Sequence, residues 1–378
     1  MSGAASDLRV VGLQALVASI ALIALAWIPP MPVAGAQLSD AIGAAGVGLV
    51  LLLVRPRVGW VVAAMAIYVA LAAVSCMVMH GSFAKLGGVA WLVMLALGVA
   101  AACEDPAVEA RIRKALVVAA LVGAVTGLVG AVLFFVGVKT GLLNHAGDLV
   151  PGNYPRIRGT MMRANALAGL IGTGLLLVGD LDARWRRPAY AVLLVALVFT
   201  FSRTWIALAG TVAVTHVAFV RRRDVLALAA AVLTVAVMLL VSWPTLQLDP
   251  SHPWRISFSG EPGTRLVHLR DALDTIRAHP LLGVGPGHAA AAGGWDAHFT
   301  LANVAAVVGI PAALAFLAIL VGAGREVWKR ARAGDLASRA LASIFILYAF
   351  DALARDVEDQ RALWIVVGLA LARFSSRR

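Results

Sequence analysis

The chain has 378 residues, of which 61% are hydrophobic and only 14% are charged, and its mean hydropathy is +0.89. This composition excludes a water-soluble globular enzyme and predicts an all-α, polytopic integral membrane protein, because the backbone of each span must be hydrogen-bonded within the membrane. The formal net charge of +12 is scattered over short loops, which argues against a nucleic-acid partner and favours contact with anionic membrane lipids.

Apolar runs of membrane-crossing length recur from one end of the chain to the other. A hydrocarbon core of about 30 Å needs roughly 20 apolar residues in a helix. The sequence therefore predicts about twelve transmembrane helices in a single membrane-embedded domain of residues 1–378. The predicted spans are 10–29, 38–54, 58–79, 86–103, 115–138, 164–179, 188–202, 204–220, 225–242, 297–321, 338–354 and 362–373.

Clusters of arginine and lysine fall on alternate predicted loops, so they all lie on one side of the membrane. By the positive-inside rule that side is the cytoplasm, and both termini are inside. The longest external loops are then 139–163 and 243–296. The basic clusters are Arg55 and Arg57; Arg111, Arg113 and Lys114; Arg184, Arg186 and Arg187; Arg221, Arg222 and Arg223; Arg325, Lys329, Arg330 and Arg332; Arg377 and Arg378.

The external loop 243–296 is predicted to carry an amphipathic helix. Thr264 suits an N-cap position, and the helix should end before Pro280, because the residue before a proline is pushed out of the α region. Apolar side chains recur at helical spacing, which predicts packing against the protein or the membrane surface. This stripe consists of Leu266, Leu269, Ala272, Leu273 and Ile276.

Arg265 stands at the edge of that stripe, in the first turn of the predicted helix. The helix dipole disfavours a cation there, unless an anion binds to the free N–H groups and the guanidinium together. The alternative is an arginine whose side chain reaches the lipid headgroups. Arg270 and Arg277 differ from it, because each can pair with Asp274 along the helix.

Arg203 and His298 are the other candidate catalytic residues. Arg203 lies between two apolar runs with almost no loop, and charges at a membrane boundary often mark function. A small shift of the span ends would instead make it an ordinary interfacial anchor. His298 follows Asp296 at the start of the tenth predicted span and can take a proton near neutral pH, although a hydrogen-bonded interfacial role is the alternative.

Further polar groups flank the other external loop. We take Arg158, Arg163 and Asn165 as candidate substrate-binding residues, together with Arg270 of the amphipathic helix. For the arginines beside the membrane, contact with lipid headgroups is the alternative role.

The sequence predicts neither a cofactor nor a metal site. External carboxylates such as Glu261, Asp271, Asp274 and Asp296 have no ligand spacing, and fixed arginine charges could replace a cation. One acidic group near the last external turn leaves metal binding open. It consists of Asp351, Asp356, Glu358 and Asp359.

Four short elements occur in the order typical of the O-antigen ligase and polymerase family of bacterial membrane glycosyltransferases, which this chain resembles. Three residues depart from the family's usual pattern: Leu269 replaces a tryptophan, Phe299 an asparagine after the histidine, and Val307 an acidic residue. These departures indicate a divergent member. The four elements, spread from about residue 156 to residue 311, read RGTMMRANALAG, FSRTWIAL, RLVHLRDALDTIRAHPLLGVGPG and AHFTLANVAAVVGIPA.

The resemblance implies a GT-C-like membrane fold in the bacterial cytoplasmic (inner) membrane, with the active site facing the periplasm or the cell exterior. It implies transfer of a glycan from undecaprenyl diphosphate to a lipid-A core sugar or another lipid-linked glycan. By analogy, Arg203 and Arg265 would hold the pyrophosphate, and His298 would be the general base or orient the acceptor. Such a site lowers the barrier by proximity and by neutralising the leaving diphosphate.

Two other functions remain open at this point. A polysaccharide polymerase of the same family uses the same donor, so these elements do not separate ligase from polymerase. A transporter or flippase of anionic lipid-linked sugars is the alternative from another class. Such transporters often show two related halves, and no convincing repeat relates residues 1–180 to 181–378.

Overall fold

A computed structural model gives the fold. It describes residues 3–25, 37–54, 59–138, 149–150, 154–155, 157–161, 163–200, 202, 261–291, 294, 296–353 and 355–372. Within these residues nearly all regular structure is helical. The exception is a pair of two-residue antiparallel strands, β1 (Leu149–Val150) and β2 (Tyr154–Pro155), in the predicted external loop 139–163.

The described helices follow the predicted spans closely along most of the chain. Their starts are explained by local chemistry: the carboxylate of Asp105 accepts from the N–H of Ala107 ahead of a proline, and Ser82 and Asp335 cap in the same way. The helices are α1 Gly3–Ala21, α2 Leu38–Leu53, α3 Trp60–Val78, α4 Phe83–Ala102, α5 Pro106–Phe135, α6 Ala164–Leu177, α7 Ala183–Phe199, α8 Glu261–Ala278, α9 Thr300–Val308, α10 Ile310–Arg332, α11 Leu336–Ala352 and α12 Arg361–Leu371.

Four of the described helices are long and apolar enough to cross a membrane: α3, α4, α5 and α10. Shorter apolar helices include α2, α6 and α12. The described residues thus form a predominantly helical membrane protein, while the predicted number of about twelve spans stays a prediction. The predicted spans 204–220 and 225–242 lie outside the described residues.

The core packs tightly because small residues let the helices approach one another. A Cβ added at Gly174 of α6 would lie 2.4 Å from the Cβ of Ala120 in α5, and one at Gly46 of α2 would lie 2.6 Å from the backbone of Leu16 in α1. Such contacts are typical of helices that pack in a membrane, where dispersion replaces the hydrophobic effect as the driving force.

The tenth predicted span, 297–321, is wrong as a continuous helix. The chain forms α9, breaks at Gly309, and continues as α10. Gly309 has φ +109° and ψ 159°, a conformation essentially restricted to glycine. The prediction failed because hydropathy averaged over the segment GIPA reflects only its apolar side chains. It does not reflect the backbone conformation that Gly309 adopts.

A glycine-rich loop, residues 279–287, packs against the break between α9 and α10 and forms hydrogen bonds with the backbone on both sides of it. A helix that ends leaves carbonyl groups without partners, and in a membrane protein these must be satisfied inside the structure. The N–H groups of Val284 and Gly285 donate to the carbonyl oxygens of Ala306 and Val307 at 2.9 and 2.8 Å. In return the N–H of Ile310 donates to the carbonyl of Pro280 at 2.8 Å.

The same loop is also held by the last turn of α3 and by the connection between α3 and α4. The Ser75 hydroxyl donates to the Leu282 carbonyl at 2.5 Å, and the N–H of Ser82 donates to the Pro286 carbonyl at 2.6 Å. We call this end of the helix bundle, with the α3–α4 turn and the loop 279–287, the loop end.

The opposite end carries charged pairs between the other helix connections, and we call it the basic end. Arg113 pairs with Glu109 at 2.5 Å and with Asp180 at 2.9 Å, and Lys114 lies 3.5 Å from Asp182. The connections after α4, α6 and α10 lie together here, since Arg113 at the start of α5 pairs with Asp180 and is also influenced by the charge of Asp335.

Gly309→Ala should lower the apparent unfolding temperature of the detergent-purified protein. The φ of +109° is strained for alanine, at a cost of order 1–3 kcal/mol, and the new Cβ would lie 2.1 Å from the Leu281 carbonyl oxygen. The control is Gly324→Ala in α10, where a Cβ meets only the Phe345 ring at 3.9 Å. That change should leave stability equal or higher. Equal unfolding temperatures for wild type and Gly309→Ala would contradict this.

Candidate functional site

His298 lies in a bend immediately before α9, at the loop end of the bundle. Its φ of +54° is unusual for a residue with a side chain, and such conformations are found where the surroundings over-determine them. The His298 side chain is 35% exposed, so one part of the imidazole is accessible while the rest is packed. One neighbour is His268 of α8, a buried residue whose ring centroid lies 5.7 Å away in an edge-to-face arrangement.

Alanines bring α8 against α9. Ala272 of α8 packs with Ala302 and Ala306 of α9, and partly buried Leu269 and Ile276 complete the contact. A helix does lie in the predicted segment, and it ends before Pro280 as expected, although it begins at Glu261 rather than after Thr264. Of the predicted apolar stripe, Leu266 and Leu273 are exposed instead.

Two of the predicted catalytic residues, Arg203 and Arg265, have side chains outside the part of the chain that the structure describes. For Arg203 the backbone lies outside it as well. The backbone of Arg265 lies in α8, one turn before Leu269 and two turns before Ala272, in register with the face that packs on α9. Ser202, just before Arg203, is buried at the end of α7. The three predicted catalytic residues therefore stay a prediction as a set.

The second wall of the site is the connection between α11 and α12, residues 353–360, which we call the acidic loop. The Thr300 hydroxyl donates to the carbonyl of Arg355 at 2.7 Å and accepts from the N–H of Val357 at 3.1 Å. One turn later the Asn303 amide donates to the carboxylate of Glu358 at 2.6 Å. Hydrogen bonds from Thr300 and Asn303, one helical turn apart, thus hold the start of α9 against the acidic loop.

The Asn303 side chain also holds the bend that contains His298. Its carbonyl oxygen accepts from the N–H of Ala297 at 3.2 Å. Below it, the indole of Trp364 donates to the Glu358 carbonyl at 2.7 Å and stacks within an aromatic group formed with Tyr68 and Phe316. The acidic loop therefore rests on a rigid, buried layer.

Asp356 places a carboxylate beside His298. Its Oδ2 atom lies 3.9 Å from His298 Nδ1, and its side chain is only 7% exposed. Burial, followed by the charges of Asp296 and Asp359, raises the pKa of Asp356 to about 7, against lowering contributions from the His298 backbone N–H and from Arg163. Burial and the charges of Asp356 and Asp359 likewise raise the pKa of Glu358.

Arg163 is one predicted substrate-binding residue that the structure brings to this place. Its guanidinium lies 3.5 Å from the carboxylate of Asp296, two residues before His298. Arg163 stands at the N-cap of α6, and Asn165 lies in the first turn of that helix, half-buried.

The remaining predicted binding residues lie around this centre. Arg158 is half-buried in the segment before α6, and the N–H of Ile157 donates to the Phe199 carbonyl at 3.0 Å. This bond places the segment against the end of α7. Arg270 is exposed on α8, where Asp274 pairs with Arg277 at 2.7 Å and has no ion pair with Arg270. The expected Arg270–Asp274 pair is therefore wrong.

Sequence reasoning missed His268 and Asn303 and gave the acidic loop only a possible metal role. His268 follows Arg265 by three residues on one helix, which is a usable signal, but nothing in the order of residues pairs α9 with a loop more than 50 positions later. In the described part of the chain, no group of three or more histidine, cysteine or acidic side chains could hold a metal ion. The predicted metal independence is not tested by this.

The arrangement suits proton transfer beside an anionic group. A partly exposed imidazole with a carboxylate behind it can accept a proton and stabilise the charge that it gains. The exposed Arg163, whose guanidinium lies 3.5 Å from Asp296, adds positive charge near the His298 bend.

Residues 188–317 match a family model described as O-antigen ligase. The matched region runs from α7 through α8 and the His298 bend into α10. It includes Arg203, Arg265 and His298, while the acidic loop lies beyond its end. No curated protein matches the chain.

Removing the buried carboxyls should change how stability depends on pH. The pKa of Asp356 is raised from 3.8 to about 7, so the folded chain holds a proton that the unfolded chain has lost. Stability should therefore fall as the pH rises through that window. Compared with wild type, the double variant Asp356→Asn and Glu358→Gln should gain unfolding temperature progressively between about pH 4 and about pH 7, the range between the two pKa values of Asp356.

The matched control for this measurement is Asp359→Asn, which removes an exposed charge from the same loop. Its unfolding temperature should run nearly parallel to that of wild type across the same pH range. Parallel curves for wild type and the double variant would show that the two carboxyls titrate as they do in the unfolded chain, against the prediction.

Proposed function

From the match of residues 188–317 we propose that the protein is a member of the O-antigen ligase family, whose members are membrane ligases and polymerases of polysaccharide biosynthesis, and that it catalyses a specific reaction. The protein transfers a glycan from undecaprenyl diphosphate to a hydroxyl group of a lipid-A core sugar or another lipid-linked glycan. Ligation is the favoured reaction, and polymerisation is the second candidate within the same family.

The single observation that carries the proposal is the contact between α8 and the His298 bend. These elements come from separate stretches of the chain, and their rings, His268 and His298, lie 5.7 Å apart between centroids. The helix that bears Arg265 therefore runs beside the imidazole proposed to accept a proton. The reaction requires the donor diphosphate and the acceptor hydroxyl to be held close together, and this contact would bring their proposed binding groups side by side.

In the proposed reaction, the guanidinium groups of Arg203 and Arg265 hold the diphosphate and neutralise the charge that grows on it. Arginine suits this task because its planar fork binds two phosphate oxygens at once. His298 takes the proton of the acceptor hydroxyl, and Arg163, Arg158 and Asn165 bind the sugar or its phosphate. The reaction needs no divalent cation, since fixed cations stabilise the leaving group.

The proposal places the loop end outside the cytoplasmic membrane and the basic end in the cytoplasm. The support is the gathering of basic connections at one end, which the positive-inside rule assigns to the cytoplasm. A cysteine at Arg277, exposed on α8, should react with a membrane-impermeant maleimide in intact cells, whereas one at Arg184 should react only after permeabilisation. Wild type, whose Cys76 and Cys103 are buried, is the blank. Labelling in the reverse order would overturn the orientation.

A deletion strain and the purified protein test the function together. Loss of a ligase should leave finished polymer on the lipid carrier, whereas loss of a polymerase should leave single repeat units. The purified protein should then transfer glycan from the carrier to the acceptor in the presence of EDTA. Activity that vanishes with EDTA and returns with Mg²⁺ or Mn²⁺ would refute metal independence, and unchanged glycans in the deletion strain would refute the function.

Arg265→Lys should reduce transfer by roughly tenfold to a hundredfold, because a point charge loses the forked hydrogen bonds, each worth about 1.5–3 kcal/mol. The matched control is Arg277→Lys on the same helix, at an exposed position where the side chain pairs with Asp274, and this variant should keep nearly full activity. Steady-state transfer rates of both purified variants are the measurement. Equal losses in the two variants would remove the special role of Arg265.

His298→Ala should abolish transfer while leaving donor binding largely intact. The imidazole acts on the acceptor hydroxyl in the proposed reaction, whereas the arginines hold the diphosphate. Binding of the lipid-linked donor to the variant, measured beside the transfer rate, separates the two roles. A variant that loses donor binding as well would place His298 among the binding residues.

A further inference from the structure

The acidic loop places the carboxylate of Asp356 beside His298, and few hydrogen bonds from described residues reach this carboxylate. Asp356 Oδ2 lies 3.9 Å from His298 Nδ1, and the Asp356 side chain is 7% exposed. Its other oxygen, Oδ1, is buried and has no hydrogen-bond partner within the part of the chain that the structure describes. A buried acceptor without a donor is costly, and in native proteins it points to a functional use.

The contacts around the pair fix where each group stands. The His298 backbone N–H, in the bend where φ is +54°, lies near enough to the Asp356 carboxylate to lower its pKa. The Thr300 hydroxyl forms hydrogen bonds with the backbone of Arg355 and of Val357, the two residues that flank Asp356. The imidazole is also packed edge-on against His268. The Nδ1 side of the ring is therefore directed at the carboxylate.

Charged groups from three elements face Asp356. Asp296 in the His298 bend, together with Glu358 and Asp359 in the acidic loop, favours the protonated carboxyl, whereas Arg163 ahead of α6 favours the carboxylate. Burial adds to the first effect, so the carboxyl titrates near neutrality. A carboxyl in that range can respond to a change of charge on the neighbouring imidazole, and the two groups then titrate as a pair.

We propose that Asp356 is the positioning residue that orients His298 through Nδ1 and stabilises its protonated form during transfer. The inference rests on the proposed function, in which His298 is the base. The acceptor O–H gives its proton to Nε2, and the oxygen forms a bond to the anomeric carbon of the donor. The bond between that carbon and the diphosphate oxygen breaks, and the diphosphate leaves with the electron pair.

The imidazolium then holds a proton on each nitrogen, with Nδ1–H directed at Asp356, until Nε2 releases its proton to water. Contacts of this kind are often long without substrate and shorten when the charge develops. A distance of 3.9 Å before reaction is consistent with that change. Charge on the imidazole would draw the two groups into a charge-assisted hydrogen bond.

The test compares Asp356→Asn and Asp356→Glu with wild type in the purified transfer assay across pH. Asp356→Asn should lower kcat by roughly tenfold to a hundredfold with little change in the KM for the donor. The acid limb of its pH profile should move about one pH unit lower, because the imidazolium has lost a partner. Asp356→Glu should restore part of kcat and return the acid limb toward its wild-type position.

Asp359→Asn is the control, since it removes the same charge from an exposed position in the same loop, where water screens it. Its pH profile should move much less. A loss of kcat in Asp356→Asn with an unmoved acid limb would show a purely structural role and overturn the inference. Unchanged kcat and pH profile would overturn it too.

An NMR titration of the His298 imidazole in the same variants provides a readout without turnover. The pKa of His298 should be lower in Asp356→Asn than in wild type and nearly unchanged in Asp359→Asn. If wild type transfers no glycan, the proposed function fails, while the titration still decides whether Asp356 acts on His298. An equal His298 pKa in wild type and Asp356→Asn would overturn the inference on its own.

Discussion

The broken helix at Gly309 is the constraint on which the arrangement of the loop end depends. A break within the protein interior frees carbonyl groups, and the free energy of leaving them unpaired in a membrane protein is several kcal/mol for each group. Val284 and Gly285 supply the missing donors, so the glycine-rich loop cannot move without exposing them. Because that loop follows α8 directly, the same hydrogen bonds hold α8 and its Arg265 backbone beside the bend that contains His298.

The two sides of the bend differ in charge, and this division fits the proposed reaction. On one side lie α8 and Arg163, where cations can meet a diphosphate. On the other side lies the acidic loop, where burial and mutual repulsion raise the pKa values of Asp356 and Glu358 above those of ordinary carboxyls. A diphosphate would be repelled from that side. The acceptor hydroxyl, which is neutral, is the reactant that can approach it, and it is the reactant whose proton must be removed.

The sequence predicted those features that depend on neighbouring residues. The end of α8 before Pro280 follows from the restriction that proline imposes on the residue before it, and the helical membrane class follows from composition. Features that depend on distant residues were not accessible. The Asn303–Glu358 hydrogen bond of 2.6 Å joins residues 55 positions apart, and neither residue is unusual in its local sequence. The break at Gly309 was predictable only in part. The glycine itself can be read from the sequence, but the N–H groups that satisfy the freed carbonyls belong to a loop elsewhere in the chain.

The departures from the family pattern gain a physical meaning at this point. Phe299 and Val307 stand where an amide and an acidic side chain are usual, yet an amide and carboxylates do lie beside the His298 bend. They come from Asn303, one helical turn later, and from Asp356 and Glu358 of the acidic loop. Burying these carboxyls opposes folding near neutral pH, and the hydrogen bonds of Thr300 and Asn303 offset part of that cost. A loop held in this unfavourable electrostatic state, and fastened on both sides of Asp356, is hard to explain by packing alone, since apolar residues would fill the same space without the penalty.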